Sequence, residues 1–236
     1  RQAVPVGVAC AIVGVIIGVL TLTGAASNFA GFVVEVGAHS LFLSLLMTMF
    51  VCLILGMGIP TIPNYIITSA IAAPALLKLG VPLIVSHMFV FYFGIMADLT
   101  PPVALAAFAA ASIAKASPMR IGWKATHIAI AGFVIPFMAV YDPALMLQSG
   151  ASGQLSLAAV VYVIFKAIVA IGLWGAVSIG FLRTKINVFE RLFAFVAASF
   201  LVVAASWTDD VGFAMSALFI AWHLLRTRRA ARRAAA

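Results

Sequence analysis

The chain has 236 residues, of which 65% are hydrophobic and only 8% charged, and its mean hydropathy is +1.23. So little charge excludes a soluble domain, whose surface would be one apolar patch, and the apolar runs are too continuous for barrel strands, which alternate with period 2. The formal charge of +8 does not mark a nucleic-acid surface, because most of the basic residues cluster in two loops and in the tail, as the positive-inside bias of membrane proteins requires.

The chain opens on Arg1 with no methionine and no basic n-region, so no signal peptide is expected and it reads as a piece of something longer. Ala3 to Gly24 is a clean apolar span, long enough for ~30 Å of hydrocarbon. Ala25 to Gly37 is mixed, carries Asn28 and Glu35, and reads as an interfacial connector with Glu35 at headgroup level. His39 to Met57 is apolar and helical, then "GMGIPTIPN" interrupts it, and Asn64 to Leu79 resumes. Pro82 to Ala97 is another short piece, ended by Asp98-Leu99-Thr100-Pro101-Pro102 and continued by Val103 to Ala114. Ile121 to Leu147 and Leu155 to Leu182 are full spans. Val188 to Trp207 and Val211 to Leu225 form a last pair, with "WTDD" between them as a loop. Cys10 and Cys52 lie inside apolar runs, which argues against a disulfide or a metal site.

Basic residues set the orientation. Lys115 to Lys124, Arg183 to Arg191 and the tail, which holds Arg226, Arg228, Arg229, Arg232 and Arg233, are expected in the cytoplasm, the tail against an anionic leaflet. The loops "YDPALMLQSGASGQ" and "WTDD" then fall outside. Counting back, Arg1 lands inside only if residues 39–79 enter and leave on one face, so parity predicts a re-entrant hairpin with "GMGIPTIPN" at its tip, followed by a broken helix over 82–114.

Irregular backbone at membrane depth is tolerated only where protein or water satisfies it. Both breaks place threonine just before proline, Thr61-Ile62-Pro63 and Thr100-Pro101-Pro102. Threonine is a fair N-cap, and proline in a first turn loses no hydrogen bond. Each break is therefore expected to restart a helix, leaving free N–H groups, while carbonyls are exposed where the preceding helices end, at Gly56/Gly58 and near Asp98. Paired half-helices of this kind build midplane sites in secondary transporters. The plainer alternative is two kinks repaired by neighbouring helices. Asp98 could hold a cation or a proton, or merely cap a helix end. Lys166 is costly to bury, and snorkelling or pairing is expected. His87 and His127 read as packing residues, and Gly94 with the run "ALAAFAAASIA" suits close helix contact. There is no nucleophile–base constellation, no H-x-x-x-H, no C-x-x-C and no phosphate loop, so neither an enzyme nor an ATPase is indicated.

Three stretches, "LGMGIPTIPNYIITSAIAAPALLKLGV", "HMFVFYFGIMADLTPPVALAAFAAASIAKASPMRIGWKA" and "GFVIPFMAVYDPALML", resemble the large membrane subunit of tripartite ATP-independent periplasmic (TRAP) transporters. More narrowly, they are similar to the fused permeases that work with TAXI-type binding proteins. The resemblance covers residues 1–150, and 151–236 are read as appended spans with a basic tail. It implies an all-α polytopic protein of the bacterial inner membrane and the second half of an inverted-repeat, elevator-type transporter. It also implies a sodium-driven importer of organic acids such as C4-dicarboxylates, with no cofactor beyond Na+ as coupling ion. Its implied partners are a periplasmic binding protein, the upstream half of the permease with its small-subunit-like helices, a small carboxylate and membrane lipid, without nucleic acid. By the same resemblance Gly56, Gly58, Pro60, Thr61 and Asn64 form the hairpin tip. Thr100, Pro101 and Pro102 form the facing break, and backbone near Gly56, Gly58 and Thr100 holds Na+. Tyr65 after Asn64 departs from the small residues expected there. Two other readings stay open: a scaffold or assembly subunit whose breaks are only kinks, and a proton-coupled carrier using Asp98 and His87.

Overall fold

The computed structural model of the chain describes residues 3–37, 40–149, 156–203 and 206–234. The readings at Arg1, at His39 and over 150–155 of the expected outer loop lie outside the described residues, as do the side chains of Arg228, Arg229, Arg232 and Arg233.

Twelve α-helices are seen among the described residues, with no strand: α1 (Ala3–Leu22), α2 (Ala25–Gly37), α3 (Leu41–Gly56), α4 (Thr61–Ile71), α5 (Ala73–Lys78), α6 (Leu83–Met96), α7 (Leu105–Ile113), α8 (Pro118–Phe133), α9 (Ile135–Tyr141), α10 (Leu157–Ile179), α11 (Val188–Val202) and α12 (Ser206–Ala234). Pro118–Tyr141 and Leu157–Ile179 are each long and apolar enough to cross a membrane. A third crossing arises if Cys10–Leu22 and Ala25–Gly37, bent by 66°, make one span. The protein is thus an all-α polytopic membrane protein. At 16 and 14 residues, α3 and α6 extend only ~24 and ~21 Å at 1.5 Å per residue. Both fall short of the ~30 Å hydrocarbon core.

Proline accounts for most departures from the expected elements. The helix read over 64–79 is two, α4 and α5, parted at Ala72 two residues before Pro74. The helix read over 121–147 is interrupted at Val134, before Pro136, and ends in a 3-10 turn at Pro143–Met146. The "WTDD" stretch is not a loop. Residues 207–210 lie in the opening turns of α12, since α11 stops at Val202.

The chain divides into two compact units, residues 1–126 and 127–236, and the division falls inside α8. In the first unit α6 packs on both α3 and α4, while α2 packs on α3 and α5. Ser44 of α3 donates to the Val33 carbonyl of α2 at 2.8 Å, tying those two together within a buried seam. In the second unit α10, α11 and α12 form a bundle around Ala167, Ala170, Ala194, Ala197, Ala198 and Leu201. Alanines let backbones approach where hydrophobic collapse gives no preference between helix and lipid. Asn187 and Glu190 cap α11 reciprocally, each side chain bonding the other's backbone end. His127 Nε2 donates to the Ser178 carbonyl at 2.5 Å, and Arg191 reaches the same carbonyl at 2.9 Å, so His127 is a packing residue.

Candidate functional site

The first break follows from its residues. α3 starts on Ser40, whose hydroxyl accepts from Leu43 N, and ends at Gly56. Gly58 then turns the chain at φ +73°, a backbone region that glycine enters at little cost. Helix α4 begins at Thr61 with Pro60 as its cap residue and no side-chain cap bond. Thr61 is therefore the first helical residue rather than the N-cap, and its side chain is exposed. Pro63 falls in the first turn, as the spacing predicted. With no side chain to cap it, the first turn leaves the N–H groups of Thr61 and Ile62 without helical partners.

The second break is wider than the sequence suggested. α6 ends at Met96 and α7 does not begin until Leu105, so Thr100 caps no helix and Pro101-Pro102 precede α7 instead of entering it. The Thr100 hydroxyl turns back and donates to the Ala97 carbonyl at 3.3 Å. The intervening turn is tied internally: Ala104 N donates to Thr100 O at 3.2 Å and Ala106 N to Asp98 O at 3.1 Å. Thr126 of α8 donates to Leu99 O at 3.0 Å. The Pro101–Pro102 peptide is cis.

These two breaks meet. A β-carbon on Gly56 would lie 2.6 Å from the Gly94 carbonyl and 2.9 Å from both Ala97 Cβ and Asn64 Nδ2. One on Gly58 would lie 3.3 Å from Val103. Asn64, one turn into α4 and 1% exposed, donates from Nδ2 to the Gly94 carbonyl at 2.6 Å, bridging hairpin to α6. Its Oδ1 is buried without a hydrogen-bond partner, and so is Asp98 Oδ1. Among the described residues the structure thus gathers Gly56, Asn64, Gly94 and Ala97 on a packed side. Thr100 is buried nearby in chain order, while Gly58, Pro60, Thr61 and Pro102 are exposed. His87 is placed against the Tyr65 hydroxyl at 2.9 Å.

Ala97, Val103, Gly122 and Thr126 were not singled out by sequence reasoning. Their signals were faint ones: Gly94/Ala97 and Gly122/Thr126 are small residues spaced three and four apart, on one helix face each. A β-carbon on Gly122 would touch Pro101 at 3.2 Å, so α8 lies directly against the second break.

Chemically, the arrangement offers backbone dipoles and two unpartnered side-chain oxygens beside an exposed turn. It contains no group of three or more metal-ligating side chains among the described residues. Such a place suits a weakly held ion or anion better than a tight transition-metal centre. No curated protein and no solved structure matches the chain. The family described as "Tripartite ATP-independent periplasmic transporter, DctM component" matches residues 1–153, which take in α1 to α9 and both breaks. A match over more than half of the chain, covering the elements that build the site, means that this protein belongs to the DctM component family of TRAP transporters.

Proposed function

We propose that the chain is the C-terminal part of a permease that imports small organic acids, C4-dicarboxylates or related carboxylates, on a sodium gradient, after a periplasmic binding protein delivers them. The observation that carries this reading is the apposition of the two breaks, Gly56 and Asn64 against Gly94 and Ala97, with Gly58 against Val103. Uncapped N–H groups at Thr61 and Ile62 favour an anion. Carbonyls near Gly56, Gly58 and Thr100, with the spare oxygens of Asn64 and Asp98, favour a hard cation such as Na+. The upstream half of the permease, with its small-subunit-like helices, would supply the first repeat and the scaffold for an elevator motion. A bacterial inner-membrane location with the tail in the cytoplasm completes the proposal.

Uptake of labelled C4-dicarboxylates and 2-oxo acids into proteoliposomes holding the full permease tests it, with the binding protein outside and sodium imposed. The expected result is uptake that needs both. Thr61→Ala and Thr100→Ala should each lower it by about tenfold, the effect of losing one positioned hydroxyl contact. Unchanged substrate and sodium dependence in both variants would sink the sodium–carboxylate reading. A scaffold, by contrast, predicts that cysteines at Ile59 and Leu99 stay unlabelled, or label indifferently to sodium.

One observation favours a second reading. Asp98 carries a buried carboxylate oxygen with no partner, at the end of α6. Intramembrane carboxylates of this kind serve proton relays as readily as cation sites. Asp98→Asn abolishing uptake, with sodium irrelevant and a proton gradient sufficient, would select proton coupling. Retained sodium dependence would select the first reading.

A further inference from the structure

At the basic end of the second unit, α11 and α12 leave a groove of about 230 Å³ lined by Phe189, Glu190, Phe193, Leu218, Phe219 and Trp222. On each helix these residues fall at i, i+1 and i+4, one face of each. Two of the wall rings stand open, Phe189 at 87% and Trp222 at 63% exposure. The polar end of the groove is built around Glu190. Arg226 pairs with it at 2.8 Å and also donates to the Lys185 carbonyl at 2.5 Å and to Thr184 Oγ1 at 3.3 Å. Arg183 N donates to His223 Nε2 at 3.5 Å. These bonds strap the turn after α10 across α12, beside the groove's polar end. That turn carries Arg183 and Lys185, whose side chains are exposed and have no ion-pair partner among the described residues. From Arg183 to Thr208 the sequence holds one acid, Glu190, and Arg226 already neutralises it.

We propose that this groove holds an acyl chain of an anionic phospholipid whose headgroup phosphate rests on Arg183 and Lys185. Three features favour lipid over another protein chain. Helix partners in membranes dock on small-residue faces that let backbones close, and this groove is walled by bulky rings instead. Tryptophan beside unpaired cations is the composition of the headgroup level. Basic pockets between spanning helices take anionic headgroups, which are attracted by roughly fivefold per nearby cation. Arg226 is held by Glu190, whereas Arg183 and Lys185 have no acid partner among the described residues and can meet phosphate.

The test uses the full chain in bilayer nanodiscs of phosphatidylcholine doped with bromine-labelled lipid, which quenches indole fluorescence on contact. Trp222 is isolated by subtracting the Trp222→Phe signal, since Trp123, Trp174 and Trp207 also emit. Bromo-phosphatidylglycerol should quench Trp222 at about a 25-fold lower mole fraction than bromo-phosphatidylcholine, the preference expected of two cations. Arg183→Gln with Lys185→Gln should erase that preference while leaving the neutral lipid's quenching intact. Both side chains are exposed, so the double variant should fold. Equal quenching by the two lipids would overturn the headgroup site. No quenching by either would show the groove covered by protein and overturn the lipid occupant altogether. A preference that survives the double variant would move the headgroup away from Arg183 and Lys185, which equally overturns the assignment.

Discussion

Lys166→Met is expected to destabilise the second unit by about 3–5 kcal/mol, although methionine is the better membrane residue, because the change leaves Asp209 buried without its partner. Lys166 lies midway along α10 and is 2% exposed, and its Nζ is 2.6 Å from Asp209 Oδ1. Helical side chains lean toward the N-terminus, which carries the amine along α10 toward the opening turn of α12 where Asp209 sits. Tyr162, one turn earlier on the same face, donates to the other carboxylate oxygen at 2.9 Å. The carboxylate also sits at a helix N-terminus, which favours its charge. Removing the amine alone strands this assembly, whereas removing the whole set does not. The triple variant Lys166→Met, Asp209→Leu, Tyr162→Phe should return to within about 1 kcal/mol of the parent, or exceed it. Unfolding of the purified chain in mixed micelles, followed by helical circular dichroism, separates these outcomes. A single variant that loses no more than about 1 kcal/mol would mean the pair behaves as a hydrated surface contact.

That pair shows where the sequence was readable and where it was not. A lysine in the middle of "VVYVIFKAIVAIG" announces that something must compensate it, and snorkelling or pairing was expected. Its partner was invisible because "WTDD" has the composition of a loop, and only tertiary packing makes those residues the start of a helix. The breaks behaved similarly. Glycine and proline report backbone geometry directly, so the interruptions at Gly56–Pro60 and after Asp98 were legible. Threonine reports only a possible cap. In both cases the chain used other backbone instead: Pro60 before α4, and an internally bonded stretch over residues 97–104 before α7. Asn64 carried the opposite lesson. As a polar residue after a turn it looked like part of the tip, yet it is a buried tie from α4 to α6. Nothing local distinguishes the two, since the deciding partner, the Gly94 carbonyl, lies thirty residues away.

The contact between the breaks yields the other large expectation, in which two similar glycine substitutions part company. Gly94→Ala would bring its β-carbon to 2.8 Å from Asn64 Oδ1, and the next nearest atoms, at 3.2 and 3.3 Å, also belong to that side chain. A side chain can retract. Gly56→Ala would bring its β-carbon to 2.6 Å from the Gly94 carbonyl, which is backbone, and to 2.9 Å from Ala97 Cβ. Only a shift of α3 against α6 relieves that contact, and overpacking of this kind costs about 1–3 kcal/mol. Because the shift separates the hairpin tip from the second break, uptake by the full permease should fall by at least about tenfold for Gly56→Ala, the scale of a misplacement near 1 Å. Gly172→Ala, whose β-carbon meets nothing within 4 Å, should leave it unchanged. The two glycines should also couple differently to Asn64. Adding Asn64→Ser ought to restore much of what Gly94→Ala loses, since it removes the amide oxygen at 2.8 Å and the amide nitrogen at 3.3 Å, whereas Gly56→Ala should gain little from it. Uptake and unfolding midpoints of the four combinations decide the matter. If Asn64→Ser rescued both glycine variants equally, the backbone contact at Gly94 would not be what limits the approach of α3. If Gly56→Ala transported normally, the touching of tip and break would be packing without consequence for transport.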